Sequence, residues 1–199
     1  MERVLTERGR ATRDRIVEGA ARLLRERGVP NVGLDDIRAA TATSKSQLFH
    51  YFPDGKSDLL LAVAEYEAAE VIADQQPMLG DLVDLATWHA WRDRVVERYA
   101  AQGDRCPLTA LTAQLGLADP ATRTIITRMY DRWQSHLADG VRALTAAGAI
   151  PPGADPDRSA TAILTAICGG ATMLQATNRI TYLEVALDDA LSTLGVGRG

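Results

Sequence analysis

Apolar residues recur at helical spacing along almost the whole chain, and no run of alternating apolar and polar positions bounded by turn residues argues for a sheet. The pattern predicts an all-α protein. A first helix is expected over Thr12–Arg27. Thr12 can cap it, Ile16, Ala20, Leu23 and Leu24 form a stripe at i, i+4, i+7 and i+8, and Gly28 ends it. After Val29-Pro30-Asn31 a short second helix, Leu34–Ala40, buries Leu34 and Ile37 and places Asp35 and Asp36 in its first turn, where the helix dipole favours acids. Thr41-Ala42-Thr43 makes a tight turn. Ser44 caps a third helix, Lys45–Phe52, with Leu48, Phe49 and Phe52 facing the first.

Pro53-Asp54-Gly55 interrupts, and Lys56 to about Asp74 reads as a longer helix with Leu59, Leu60, Val63 and Tyr66 inward. Pro77 and Gly80 break the pattern again. Further helices are expected at about Asp81–Ala101, Pro107–Leu115, Pro120–Ala147, Asp157–Thr177 and Tyr182–Leu194, with punctuation such as Ile150-Pro151-Pro152-Gly153 between them. The helices, about nine in all, divide into two units. Residues 1–58 hold an N-terminal arm and a three-helix helix-turn-helix domain, and residues 59–199 a larger helical domain.

Charge sharpens this division. The net charge of -4 conceals 11 Lys/Arg against 9 Asp/Glu in residues 1–58, and 11 against 17 in the remainder. Arg3, Arg8, Arg10, Arg13 and Arg15 crowd the first fifteen positions. A mildly basic head on an acidic body suits a protein that sets one end against phosphate. Other classes lack support. Nothing approaches the roughly 20 consecutive apolar residues of a membrane span, and the arginine-rich start lacks the apolar core of a signal peptide, so a cytoplasmic protein is expected. Cys106 and Cys168 lie far apart and form no zinc-type spacing; they read as small hydrophobes, with a redox thiol as the alternative. His89 and His136 are isolated, and no nucleotide, hydrolase or metalloprotease motif is present, so no cofactor, metal or catalysis is expected.

The chemistry concentrates on the third helix. With its apolar side turned inward, Lys45, Ser46, Gln47, His50 and Tyr51 remain largely outside. Gln pairs bidentately with adenine, Ser bonds base edges, and the helix start with Thr43 and Ser44 can receive a phosphate. Lys56 adds another donor. A short helix with these donors fits a major groove about 12 Å wide.

The stretch from Asp36 to Pro53, preceded by Thr12-Arg13-Asp14-Arg15-Ile16 and Arg27-Gly28, resembles the N-terminal domain of TetR-family regulators in content and order, from about Thr12 to Val63. Two positions depart from the family pattern. Ala42-Thr43 stands where the family usually has Gly-Val, so Ala42 needs a negative φ or accepts strain, and Gly33 stands where Ser or Thr usually caps the second helix. Cys106 to Leu115, the extra glycine in Pro53-Asp54-Gly55-Lys56 and Asp131-Arg132-Trp133 are similar to the LmrA/YxaF-like branch.

The resemblance implies a ligand-responsive repressor of double-stranded DNA. Two heads read an inverted-repeat operator, an apolar or aromatic effector sits in the body, and the last two helices form a homodimer interface. Tyr66, Trp88, Trp91, Leu111, Gln114, Met129, Trp133 and Met173 are the bulky groups expected near the effector, each with ordinary core packing as its competing reading. Gly169-Gly170, with Ala166 and Ala171, offers a small-residue patch for close helix approach, within the chain or between subunits. An interaction module that has lost DNA binding, and an enzyme using the body pocket, are the alternative functions.

Overall fold

The computed structural model describes residues 5–103 and 106–196. Among these residues are nine α-helices and no strand: α1 (Glu7–Arg27), α2 (Leu34–Ala40), α3 (Lys45–Tyr51), α4 (Lys56–Ala73), α5 (Leu85–Gln102), α6 (Pro107–Leu115), α7 (Pro120–Ala146), α8 (Pro156–Thr177) and α9 (Thr181–Ser192). The all-α reading stands, with two displaced starts.

α1 begins at Glu7, because Thr6 rather than Thr12 is its cap: the Thr6 hydroxyl accepts from the Gly9 N–H at 3.2 Å. Thr12 lies inside the helix and donates back to the Arg8 carbonyl. Arg8, Arg10, Arg13 and Arg15 are therefore helical positions instead of a tail, while Arg3 lies outside the described residues. α5 starts at Leu85, not Asp81, because the Asp84 carboxylate accepts from both the N–H and the hydroxyl of Thr87 (2.8 and 2.9 Å).

The chain forms two compact units, Met1–Glu70 with Pro107–Ile126 and Val71–Cys106 with Thr127–Gly199. They do not follow the expected break after residue 58: α4 runs unbroken across it, and α6 packs back against α1 and the turn at Val29–Asn31. In the first unit α1 buries Ile16, Val17, Ala20, Leu23 and Leu24. At Gly19 it comes so close to the turn between α2 and α3 that a Cβ there would clash with Thr41 Cγ2. The buried Glu67 on α4 pairs with Arg25 of α1, and the Lys56 ammonium donates to the Val32 carbonyl at 2.7 Å.

The second unit is built on a core of indoles and aliphatics, with α8 and α9 as its most extensive helix pair. They meet at Gly170, where a Cβ would stand 2.5 Å from Leu183 Cα. Arg92, 8% exposed, clamps α5 to α9 through two bonds to the Asp188 carboxylate (2.7 and 2.8 Å). α8 is the one helix among the described residues long and apolar enough to cross a bilayer, and 39% of that stretch is buried inside the protein.

Candidate functional site

α3 opens on a reciprocal cap. Ser44 Oγ accepts from the Gln47 N–H (3.2 Å) and Gln47 Oε1 accepts from the Ser44 N–H (3.1 Å). The turn before it is fastened from both neighbouring helices. The Thr43 N–H donates to the Arg38 carbonyl (3.0 Å), the Thr41 hydroxyl donates to the Ile37 carbonyl (2.7 Å), and the Arg15 guanidinium reaches from α1 to the Thr41 carbonyl. Held between these bonds, Ala42 adopts φ +47°, a left-handed conformation that costs an L-residue about 1–2 kcal/mol. The turn thus accepts the strain that its alanine implied.

Ser44, Lys45, Ser46, Gln47 and His50 are exposed; Tyr51 is half-buried, its ring edge-on to His50 at 4.9 Å. No Asp or Glu occurs between Ile37 and Pro53. Two residues expected on this face behave differently. Thr43 is buried, its hydroxyl 2.9 Å from that of Thr41. Lys56 holds the Val32 carbonyl, so both position the motif rather than extend its surface. Conversely, Phe49, expected inward, is 40% exposed, because Leu48 and Phe52 already occupy the buried side of a two-turn helix. Sequence reasoning also missed Arg15: no spacing rule connects it to a carbonyl 26 residues on.

The residues expected near an effector fall in different units. Tyr66, Leu111 and Gln114 belong to the first. Tyr66 lines a cleft of about 490 Å³ with Arg15, Glu18, Arg22 and Arg25, and burial together with Glu70 and Glu18 pushes its phenol up. Leu111 is fully buried and Gln114 exposed. In the second unit, Trp88 and Trp91 are fully buried and edge-on at 5.6 Å, with both indole N–H groups satisfied, by the Leu82 carbonyl (3.2 Å) and by Gln75 Oε1 (2.8 Å). Trp133, 1% exposed in the same core, has an indole N–H without a partner among the described residues, as has the Gln102 side-chain amide nitrogen. Met129 is buried, whereas Met173 is 41% exposed on α8.

Cys106 and Cys168 are free and half-buried, and both lie within electrostatic reach of the Tyr99 phenol, which burial pushes up. Burial also raises the Cys168 thiol, against a hydrogen bond from Tyr130. No group of three or more His, Cys, Asp or Glu is placed to hold a metal among the described residues.

Comparison with known proteins agrees with this architecture. The model for bacterial regulatory proteins of the tetR family matches residues 16–63, and that for the tetracyclin repressor-like C-terminal domain matches residues 85–189. The transcriptional regulator AcuR of Cereibacter sphaeroides is 30% identical over 143 residues, covering 70% of this chain and 65% of AcuR. The uncharacterised HTH-type regulator YxaF of Bacillus subtilis is 24% identical over 143 residues, covering 67% and 71%. A TetR regulator from Chloroflexus aurantiacus shares the fold at a TM-score of 0.73 and 24% identity, over 96% of this chain and 98% of the other. With one model on the helix-turn-helix and another spanning over half of its length, the chain belongs to the TetR family of bacterial transcriptional regulators, DNA-binding proteins and not enzymes.

Proposed function

We propose that this protein is a cytoplasmic homodimeric repressor that seats two copies of α3 on an inverted-repeat operator and is released by a small molecule bound in its second unit. The observation that carries the reading is the outer face of α3: exposed, donor-rich, free of acids and mounted on a turn fastened by Arg15, Thr41 and Thr43. Lys45, Ser46 and His50 are the side chains for base edges and phosphate. Gln47 joins them while holding the cap, since its amide oxygen accepts more than one bond. Tyr51 supports His50.

For the dimer, the outer side of α8 carries Ala162, Thr165, Gly169, Thr172, Met173 and Ala176, all exposed, and α9 adds Tyr182 and Val185. Small residues interspersed with apolar ones suit close packing of a second helix pair. For the effector, Trp133 and Gln102 each hold a buried donor without an acceptor among the described residues, an arrangement that costs about 1–3 kcal/mol until it is satisfied. An apolar or aromatic molecule bearing a carbonyl or carboxylate answers both features. Release then follows from differential affinity: a ligand that prefers the conformation unable to span both half-sites weakens operator binding by the ratio of its two affinities.

The test is fluorescence anisotropy on duplexes that the purified protein enriches from a random library. Lys45→Ala and His50→Ala each weaken binding, Lys45→Ala by about ten-fold, the scale of one base-edge contact, with circular dichroism unchanged. Wild-type affinity in both variants overturns the assignment of α3.

A further inference from the structure

Phe49 is the one large apolar side chain on the outer face of α3. At 100° per residue it lies one turn beyond Lys45 and Ser46 and on their side of the helix. It is also seated: a Cβ built on Gly55 would be 3.4 Å from Phe49 Cε1 and 3.6 Å from Leu34 Cδ1, so one edge of the ring rests at the junction of α2 and α4 while the other edge is open. Having no hydroxyl, the ring has nothing to offer a phosphate oxygen or a polar base edge. The floor of the major groove displays one apolar group, the C5 methyl of thymine.

We propose that Phe49 reads a thymine methyl in each operator half-site. The proposal rests on the operator-binding reading above and adds a specificity element to it. Lys45, Ser46 and His50 recognise donors and acceptors; Phe49 distinguishes thymine from cytosine at one step by surface alone. An aromatic ring with few rotatable bonds and one edge already packed loses little freedom when it lands on the methyl.

The experiment uses the full chain and its enriched duplex. Each thymine is replaced in turn by deoxyuridine, which keeps every base-pairing group and removes only the methyl. For wild-type protein one symmetric position loses about four-fold in affinity per half-site and ~15-fold when both are changed, the value of burying one methyl-sized group. Phe49→Ala binds the thymine duplex correspondingly less tightly and is indifferent to deoxyuridine at that position; Phe49→Leu keeps part of the discrimination. Circular dichroism and dimer mass of both variants match wild type. Identical deoxyuridine profiles for wild type and Phe49→Ala overturn this proposal while leaving the repressor reading intact. Failure of the folded wild-type dimer to enrich any duplex overturns both.

Discussion

Ala42 is the position at which a single methyl group works against the fold. Its φ of +47° is imposed by the bonds on either side, Thr43 N–H to Arg38 and Arg15 to Thr41, so the residue cannot relax without releasing α3. An L-residue in this region costs about 1–2 kcal/mol that glycine does not incur. Ala42→Gly also enlarges the unfolded ensemble, which returns about 0.4–1 kcal/mol. The side chain is exposed, so little burial is lost. The balance is a gain of about 0.5–1 kcal/mol for Ala42→Gly. In urea this raises the midpoint of the first unit's transition by about 0.3–0.5 M at an unchanged slope of about 2 kcal/mol/M. Ala42→Val, which adds branching at the same φ, lowers it. Operator affinity of Ala42→Gly stays within about two-fold of wild type, because no groove-facing atom is removed. A lower midpoint for Ala42→Gly refutes the reasoning, since it means that the turn depends on the methyl group instead of tolerating it.

Three further outcomes follow from particular contacts. Gly170→Ala drives a Cβ into the Leu183 backbone and destabilises the second unit by about 1–3 kcal/mol; Gly169→Ala meets nothing within 4 Å, raises monomer stability slightly through helix propensity, and weakens self-association in sedimentation if this face forms the dimer. Equal thermal shifts for the two variants refute the assignment. The Asp84 and Asp119 carboxyls are held below the ordinary carboxylate value chiefly by the Thr87 and Thr122 backbone N–H groups. Their contribution is full above the unfolded value near ~4 and is lost as pH falls through the lower folded value. Replacing both with Asn, also a good cap, flattens the acid limb of a stability–pH curve, and superimposable curves count against these caps. Finally, Trp91→Phe strands the Gln75 amide oxygen, 1% exposed, and costs about 1–3 kcal/mol. Trp133→Phe removes an orphan donor, leaves stability in urea unchanged or higher, and blunts release by an acceptor-bearing effector; a large loss of stability instead marks Trp133 as ordinary core.

The helix order and the helix-turn-helix were legible in the sequence because they rest on local rules. Ser44 with Gln47, Gly28 at φ +81° and the spacing of Leu48 and Phe52 each act within a turn or two. What the sequence withheld depends on partners distant along the chain. Phe49 looks like core by hydrophobicity, and only the finite width of a seven-residue helix shows that Leu48 and Phe52 leave no room for a third inward side chain. Thr43 looks like a groove donor until Thr41 and Arg38 claim its hydroxyl and N–H. The three tryptophans are nearly alike in burial, yet differ in what their N–H groups meet among the described residues: a carbonyl at Leu82, an amide at Gln75, and nothing. Hydrophobic periodicity cannot tell these indoles apart, since a satisfied and an orphaned tryptophan contribute the same apolar face. The two units accordingly differ in chemistry. The α3 face is fixed by bonds already made, whereas among the described residues the second unit keeps two buried donors without an acceptor.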